Sequence, residues 1–228
     1  MSGLVYIISA PSGSGKSTLV NELRKSVEHL EFSVSYTTRA PRGSEQNGRE
    51  YFFVARDEFE AMIAKDEFLE YAEVFGNYYG TARVFLEKAR ARGNDLLLDI
   101  DVQGERQVKE KLPEAVSIFV LPPSRAELER RLRRRSQAEK VSSDEIIQRR
   151  LAAASKEVKN YRNYEYILIN DQLEYSIDQL KAVVLHERML RCGNSGAGDH
   201  EKEGKLAEEC RQANIRPRLA PILESFGV

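Results

Sequence analysis

The stretch Ser9-Ala10-Pro11-Ser12-Gly13-Ser14-Gly15-Lys16-Ser17-Thr18 carries the residue types with the plainest chemistry. Small residues and two glycines lead into a lysine and two hydroxyls. In such a loop successive backbone N–H groups point at one anion, and the first turn of a following helix adds partial positive charge. Lys16 can then reach the β- and γ-phosphates of a nucleotide, and Ser17 can offer its oxygen to Mg2+. Ala10 stands where the pattern asks for glycine, which is tolerable only while its φ stays negative. A second chemistry lies in Leu96-Leu97-Leu98-Asp99-Ile100-Asp101. An acid that follows apolar strand residues is placed to hold Mg2+, usually through water, so Asp99 is the metal-side candidate. Its plainer role would be to cap the next turn. Arg39 and Arg42 flank a proline, and Arg130, Arg131, Arg133, Arg134 and Arg135 crowd one segment. Arginine forks suit phosphate, and phosphoryl transfer needs positive charge around the moving group. Most of the second cluster reads as a solvated helix face. Its place beside the polar stretch Ser136–Ser143 suggests a lid that delivers one or two of these arginines.

The elements that must position these residues follow from periodicity. Leu4–Ile8 is a short apolar run ahead of the loop, and a helix from Lys16 to about Val27 carries Leu19, Val20 and Leu23 on one side. Phe32–Tyr36 alternates as a strand. A loop holds Arg39 and Arg42, and Asn47-Gly48 turns before Tyr51–Val54. Asp57 is the expected cap of a helix through Phe59, Met62 and Ile63. Phe68–Val74 and the segment at Tyr78-Tyr79 flank Gly76-Asn77 as a hairpin. Residues 32–82 thus form a β-rich insertion. Helix Ala82–Ala91, strand Leu96–Asp101, helix Gln107–Leu112 and strand Val116–Leu121 follow. Ser124 with Glu127, and Ser142 with Glu145, read as capping boxes of two further helices. Tyr166–Ile169 is the last strand, and Leu173–Leu190 the last long helix. Strands alternating with helices mean an α/β fold, a parallel sheet covered on both faces. Ligands of such sheets bind beyond the carboxyl ends of the strands, where the loop, Asp99, Asp101 and Asn170 all fall. Gly193–Gly198 reads as a linker, and residues 191–228 as a flexible tail without chemistry, with a short charged helix from Glu201 to Ala213.

Composition sets the frame. A chain of 228 residues can bury a sizeable core. A formal net charge of −1 supplies no global field for nucleic acid. No apolar run approaches a membrane span. The start carries no signal pattern, because Leu4–Ile8 is too short for one. Cys192 and Cys210 are too few for a disulfide framework, so a reduced, cytoplasmic setting is expected. A homo-oligomer stays open.

Taken together, several separated motifs resemble the guanylate kinases, nucleoside monophosphate kinases with a phosphate loop that act on GMP. They are Ala10–Ser17, Phe32–Arg42, Gly48–Phe53, Phe68–Tyr71, Gly76–Thr81, Leu98–Gly104 and Ile169–Asp171, across residues 3–188. The resemblance implies a three-layer phosphate-loop kinase fold. Its core would be 3–31 and 83–188, with a GMP-binding region at 32–82 and a helical lid at about 130–150. It implies MgATP and GMP as substrates. Ala10, Pro11, Ser12, Gly13, Ser14, Gly15, Lys16, Ser17 and Thr18 would hold ATP, with Asn170 near the adenine. Arg39, Arg42, Tyr51 and Tyr79 would hold the GMP phosphate. Ser35, Glu70, Thr81 and Asp101 would read the guanine, whose N1–H and N2–H2 suit carboxylate acceptors. Lys16, Arg39, Arg42, Asp99, Arg135 and Arg150 would carry the transfer, with Mg2+ on Ser17 and Asp99. The segment between Arg135 and Arg150 is a few residues longer than the family's, which leaves Arg131, Arg134 and Arg135 open as lid arginines.

Overall fold

The structure, a computed structural model, describes residues 3–74, 76–138, 144–192 and 201–228, with only the backbone of Ala138 and Cys192. In chain order its elements are β1 (Val5–Ser9), α1 (Lys16–Ser26), β2 (Leu30–Ser33), β3 (Tyr36–Thr37), β4 (Phe52–Phe53), α2 (Arg56–Ala64), β5 (Phe68–Val74), β6 (Asn77–Ala82), α3 (Arg83–Ala91), β7 (Asp95–Asp99), α4 (Val102–Lys111), β8 (Val116–Leu121), α5 (Arg125–Ala138), α6 (Asp144–Val158), a 3-10 turn (Lys159–Asn163), β9 (Tyr166–Ile169), α7 (Leu173–Cys192), α8 (Glu201–Cys210) and α9 (Gln212–Phe226). Among the described residues no helix is long and apolar enough to cross a membrane.

Residue contacts divide the chain into two compact units, Met1–Ile7 with Glu28–Val116, and Ile8–Val27 with Ser117–Val228. Strand β1 belongs to both. The first unit holds the β2-β7-β1 part of a five-stranded sheet, and the second holds β1-β8-β9. The pairs β2–β7 and β8–β9 are parallel. Strands β1, β8 and β9 are buried along their whole length, as the Val/Ile/Leu-rich runs of a sheet covered on both faces require.

The first unit carries a second sheet of order β4-β3-β6-β5. The expected strand Phe32–Tyr36 is in fact two. Leu30–Ser33 pairs with β7, and Tyr36–Thr37 pairs with β4 and β6. Val34 and Ser35 carry the chain from one sheet to the other, a change that alternation cannot register because the side-chain pattern continues through it. The hairpin β5–β6 forms in the expected place. Helix α2 starts after an extended Ala55, so Asp57 lies in its first turn rather than at the cap. There its charge still meets the positive helix end. Ser124 does cap α5, accepting from Glu127 N at 3.1 Å; the companion box at Ser142 lies outside the described residues.

In the second unit the expected flexible tail is corrected. Beyond residues 193–200, which lie outside the described ones, α8 and α9 are helices with a buried side. Ile215, Leu219, Ile222 and Phe226 recur at helical spacing and are buried, and α9 packs on α5, α6 and β9. This stripe lets α9 run through Pro217 and Pro221, each of which removes a helix hydrogen bond. The polar and proline content masked it in the sequence. The extension also covers the open edge of β9. Arg211 bridges Tyr166, and Gln212 N donates to Glu165 O at 2.9 Å. The Arg211 guanidinium lies 4.6 Å from the Tyr166 ring centroid and donates to buried Glu187 at 3.2 Å, which also accepts from Tyr166 Oη at 2.5 Å. Burial drives the Cys210 thiol up to about 12, which keeps it protonated and a poor nucleophile.

Arg211→Ala strands Glu187 with one cation fewer in a buried site. About 1–3 kcal/mol of stability should go, or roughly 3–9 °C in thermal midpoint. A midpoint within 1 °C of the parent would show that the extension is held by its apolar stripe alone.

Candidate active site

Two groups of expected site residues form, one in each unit. In the first, Thr37 Oγ1 accepts from Arg39 N at 3.2 Å and fixes the start of the loop that follows β3. Arg39 is 9% exposed. It donates from Nη1 and Nη2 to Glu45 Oε2 and Oε1 at 3.0 and 3.1 Å, a two-pronged pair. Burial alone would lower the Arg39 pKa, but Glu45 and Tyr79 outweigh it and the guanidinium is held above its ordinary value. Burial likewise works against the Glu45 charge, and Arg39 with the Arg42 amide reverses it, so Glu45 sits below the usual carboxylate range. Tyr51 lies under the Arg39 guanidinium at 5.3 Å and meets Tyr79 edge-on at 5.8 Å. Burial, with the charge of Asp99 added, pushes the Tyr51 phenol up to about 12. It therefore stays protonated and can donate. Arg39, Tyr51 and Tyr79 thus form one cluster, with exposed Arg42 tied to it by its amide at 2.7 Å from Glu45. Asp99 ends β7, partly exposed.

Glu70 is the other centre of this unit, at 4% exposure. Thr81 Oγ1 donates to its Oε1 at 2.6 Å. Burial pushes its carboxyl up to about 7; the Asp101 charge adds to the push, and the Thr81 hydrogen bond opposes it. Asp101 itself caps α4, its Oδ1 accepting from Gln103 N at 2.9 Å and Gly104 N at 2.8 Å. The capping that sequence allowed for Asp99 thus falls to Asp101. Ser35 lies half-buried at the break between the sheets.

In the second unit the phosphate loop links β1 to α1. Ser14 N donates to Pro11 O at 3.1 Å, and Thr18 N and Leu19 N both reach Gly15 O at 3.2 Å, which starts α1 at Lys16. Gly15 has φ 91°, and a Cβ there would lie 2.3 Å from Asn170 Nδ2, so the position is closed to any side chain. Ala10 is not among the described non-glycine residues of positive φ, as its methyl requires. Pro11 and Ser14 are buried, and Ser12, Ser17 and Thr18 are exposed. Asn170 is buried at the end of β9 and donates to Ser14 O at 2.7 Å. Arg131 Nη1 joins at 3.3 Å, its Nη2 holds Asn170 O at 2.9 Å, and its Nε holds Glu127 at 2.7 Å. With Ser14 O taken, the loop offers donors rather than an acceptor to an anion.

Arg134 and Arg135 are exposed, and Arg133 joins Glu129 to Asp144. Residues 139–143 of the expected lid lie outside the described ones. Arg150 Nη1 is buried without a hydrogen-bond partner among the described residues, a donor in want of an acceptor. Sequence reasoning missed Glu45, whose signal was an acid three residues past Arg42. It also missed the role of Arg131 on the loop, which no local pattern announces.

A glycine-turned phosphate loop at the start of a helix, in an α/β fold with a parallel sheet, defines the class: a phosphate-loop nucleotide-binding protein. The guanylate kinase family model matches residues 2–187. A guanylate kinase of Koribacter versatilis is 59% identical over 226 residues, covering 99% of this chain and 97% of that protein. One of Escherichia coli K12 is 49% identical over 189 residues, covering 82% and 89%. The crystal structure of guanylate kinase from Anaplasma phagocytophilum matches with a TM-score of 0.65 at 32% identity, covering 96% of this chain and 95% of that one. The chain belongs to the guanylate kinase family. The Koribacter match runs through α8 and α9, so the extension is shared with that relative.

Proposed function

We propose that the protein transfers the γ-phosphoryl group of ATP to GMP, giving ADP and GDP, in purine nucleotide recycling in the cytoplasm. The phosphate loop holds the triphosphate, with Lys16 at the transferred group. Arg39, Arg42, Tyr51 and Tyr79 receive the GMP phosphate. Glu70, Thr81, Asp101 and Ser35 read the guanine. An oxygen of the GMP phosphate attacks the γ-phosphorus in line while the bond to the ADP oxygen breaks, and no covalent enzyme intermediate is needed. Arg150, Arg135 and Arg131 supply charge on the lid side. The Ser17 hydroxyl and the Asp99 carboxylate are hard oxygen donors of the kind that Mg2+ takes one or two at a time beside substrate phosphates. They would hold it, directly or through water, and the ion would neutralise charge on the phosphates.

One observation carries the acceptor's identity. Glu70 is a buried carboxylate fixed by Thr81, and guanine offers donors to it where adenine N1 has none. A coupled assay with ATP and GMP, dGMP, AMP or UMP tests the reading. GMP and dGMP should be turned over, with kcat/KM for AMP and UMP at least about 100-fold lower. Equal use of AMP would overturn it.

A further inference from the structure

Gly104 lies in the first turn of α4, and α4 runs along β5. Strand β5 is at the edge of its sheet, and residues at helical spacing on α4 service its backbone. Gln107 accepts from Tyr71 N at 3.2 Å and donates to Tyr71 O at 2.7 Å. Lys111 Nζ donates to Leu69 O at 2.6 Å. Gln107 and Lys111 thus hold the β5 backbone on the two sides of Glu70. The register shifts beside them: Phe68 pairs with Ala82 and Glu70 with Thr81, so Leu69 is an extra residue. Around this bulge Phe68, Leu69 and Glu70 are all buried, where a regular strand would turn one of them outward.

The Glu70 carboxylate lands on Gly104. A Cβ at residue 104 would lie 2.5 Å from Glu70 Oε2 and 3.0 Å from its Cδ. The other oxygen is held by Thr81. The Gly104 N–H is itself engaged by the Asp101 cap. A methyl at 104 would press chiefly on the far end of the Glu70 side chain, with the Ile100 Cβ 3.3 Å away behind it, so the carboxylate is what must move. That movement costs the Thr81 bond or the aim of Oε2.

We infer that Gly104 is a specificity-determining position, whose missing side chain makes the seat for the carboxylate that reads the guanine. The inference rests on the assignment of Glu70 as guanine acceptor. Gly104 acts through Glu70 and is a positioning residue.

The test is a double-mutant cycle of Gly104→Ala with Glu70→Asp, read as KM for GMP, KM for ATP and thermal midpoint. Gly104→Ala should raise KM for GMP about tenfold or more and leave KM for ATP within about twofold. Asp is one methylene shorter and vacates the space above residue 104. In the Glu70→Asp background the alanine should therefore change KM for GMP by less than about threefold. An equal factor in both backgrounds, or a parallel loss for ATP and GMP, overturns the inference. So does a KM for GMP within twofold of the parent in Gly104→Ala. If Glu70→Asp and Glu70→Gln both leave KM for GMP unchanged, it is the acceptor assignment that fails.

Discussion

Lys16→Ala should lower kcat for ATP and GMP by about 1,000-fold or more while the protein stays folded. Loss of one preorganised donor to developing charge typically costs about 100- to 1,000-fold, and a charged group at the transferred phosphoryl about 1,000- to 100,000-fold. On the proposed assignment Lys16 is of the second kind. The loop should stay folded. The loop is held by Ser14 N on Pro11 O, by Thr18 and Leu19 N–H on Gly15 O, and by Asn170 and Arg131 on Ser14 O, none of which uses the Lys16 side chain. Lys16 is moreover the first residue of α1, where a cation opposes the helix dipole. The thermal midpoint should therefore stay close to the parent's. Steady-state kinetics with a melting curve measure both. More than a tenth of the parent kcat remaining would remove Lys16 from the transfer, and a collapsed midpoint would make the loss of activity uninformative about chemistry.

The phosphate loop was legible because its information is local. Ala10–Thr18 needs only a strand before it and a helix after it, and both are short periodic patterns. The hairpin β5–β6 was legible for the same reason, with Gly76-Asn77 between two alternating runs. What stayed hidden depends on partners far along the chain. The division of Phe32–Tyr36 follows from which strands Ser33 and Tyr36 pair with. The pairing of Arg39 with Glu45 follows from a loop without periodicity. The short charged helix expected from Glu201 is α8, but α9 looked like tail because Pro217 and Pro221 weigh against a helix until Ile215, Leu219, Ile222 and Phe226 find a surface. The empty side of Gly104 is invisible altogether, since a glycine in a helix reads only as a weak position until Glu70 is seen resting on it.

Glu70→Gln should raise KM for GMP by about 10- to 150-fold and leave KM for ATP within about twofold. A hydrogen bond to a charged acceptor contributes about 1.5–3 kcal/mol, which sets that range. Glutamine keeps the shape but has one acceptor and a donor in place of two acceptors. If its oxygen stays on the Thr81 hydroxyl, its NH2 faces the guanine donors; if it flips, the oxygen meets the guanine and the NH2 donates to Thr81, but a neutral amide oxygen replaces the carboxylate. Either way the guanine loses a charged acceptor. The pH dependence separates this from general damage. In the free protein burial and the Asp101 charge bring the Glu70 carboxyl up to about 7, so near neutrality it is partly protonated. Guanine donors require the carboxylate, so GMP binding selects the ionised form and releases a proton. Affinity is then full above about pH 7 and falls below it, towards tenfold per pH unit. The GMP phosphate adds its own titration near pH 6. In Glu70→Gln the step near 7 should vanish and the phosphate step remain. KM for GMP measured from about pH 5.5 to 8.5 on both proteins isolates the difference. Superimposable profiles would mean that Glu70 does not meet the guanine, whatever the size of the change in KM.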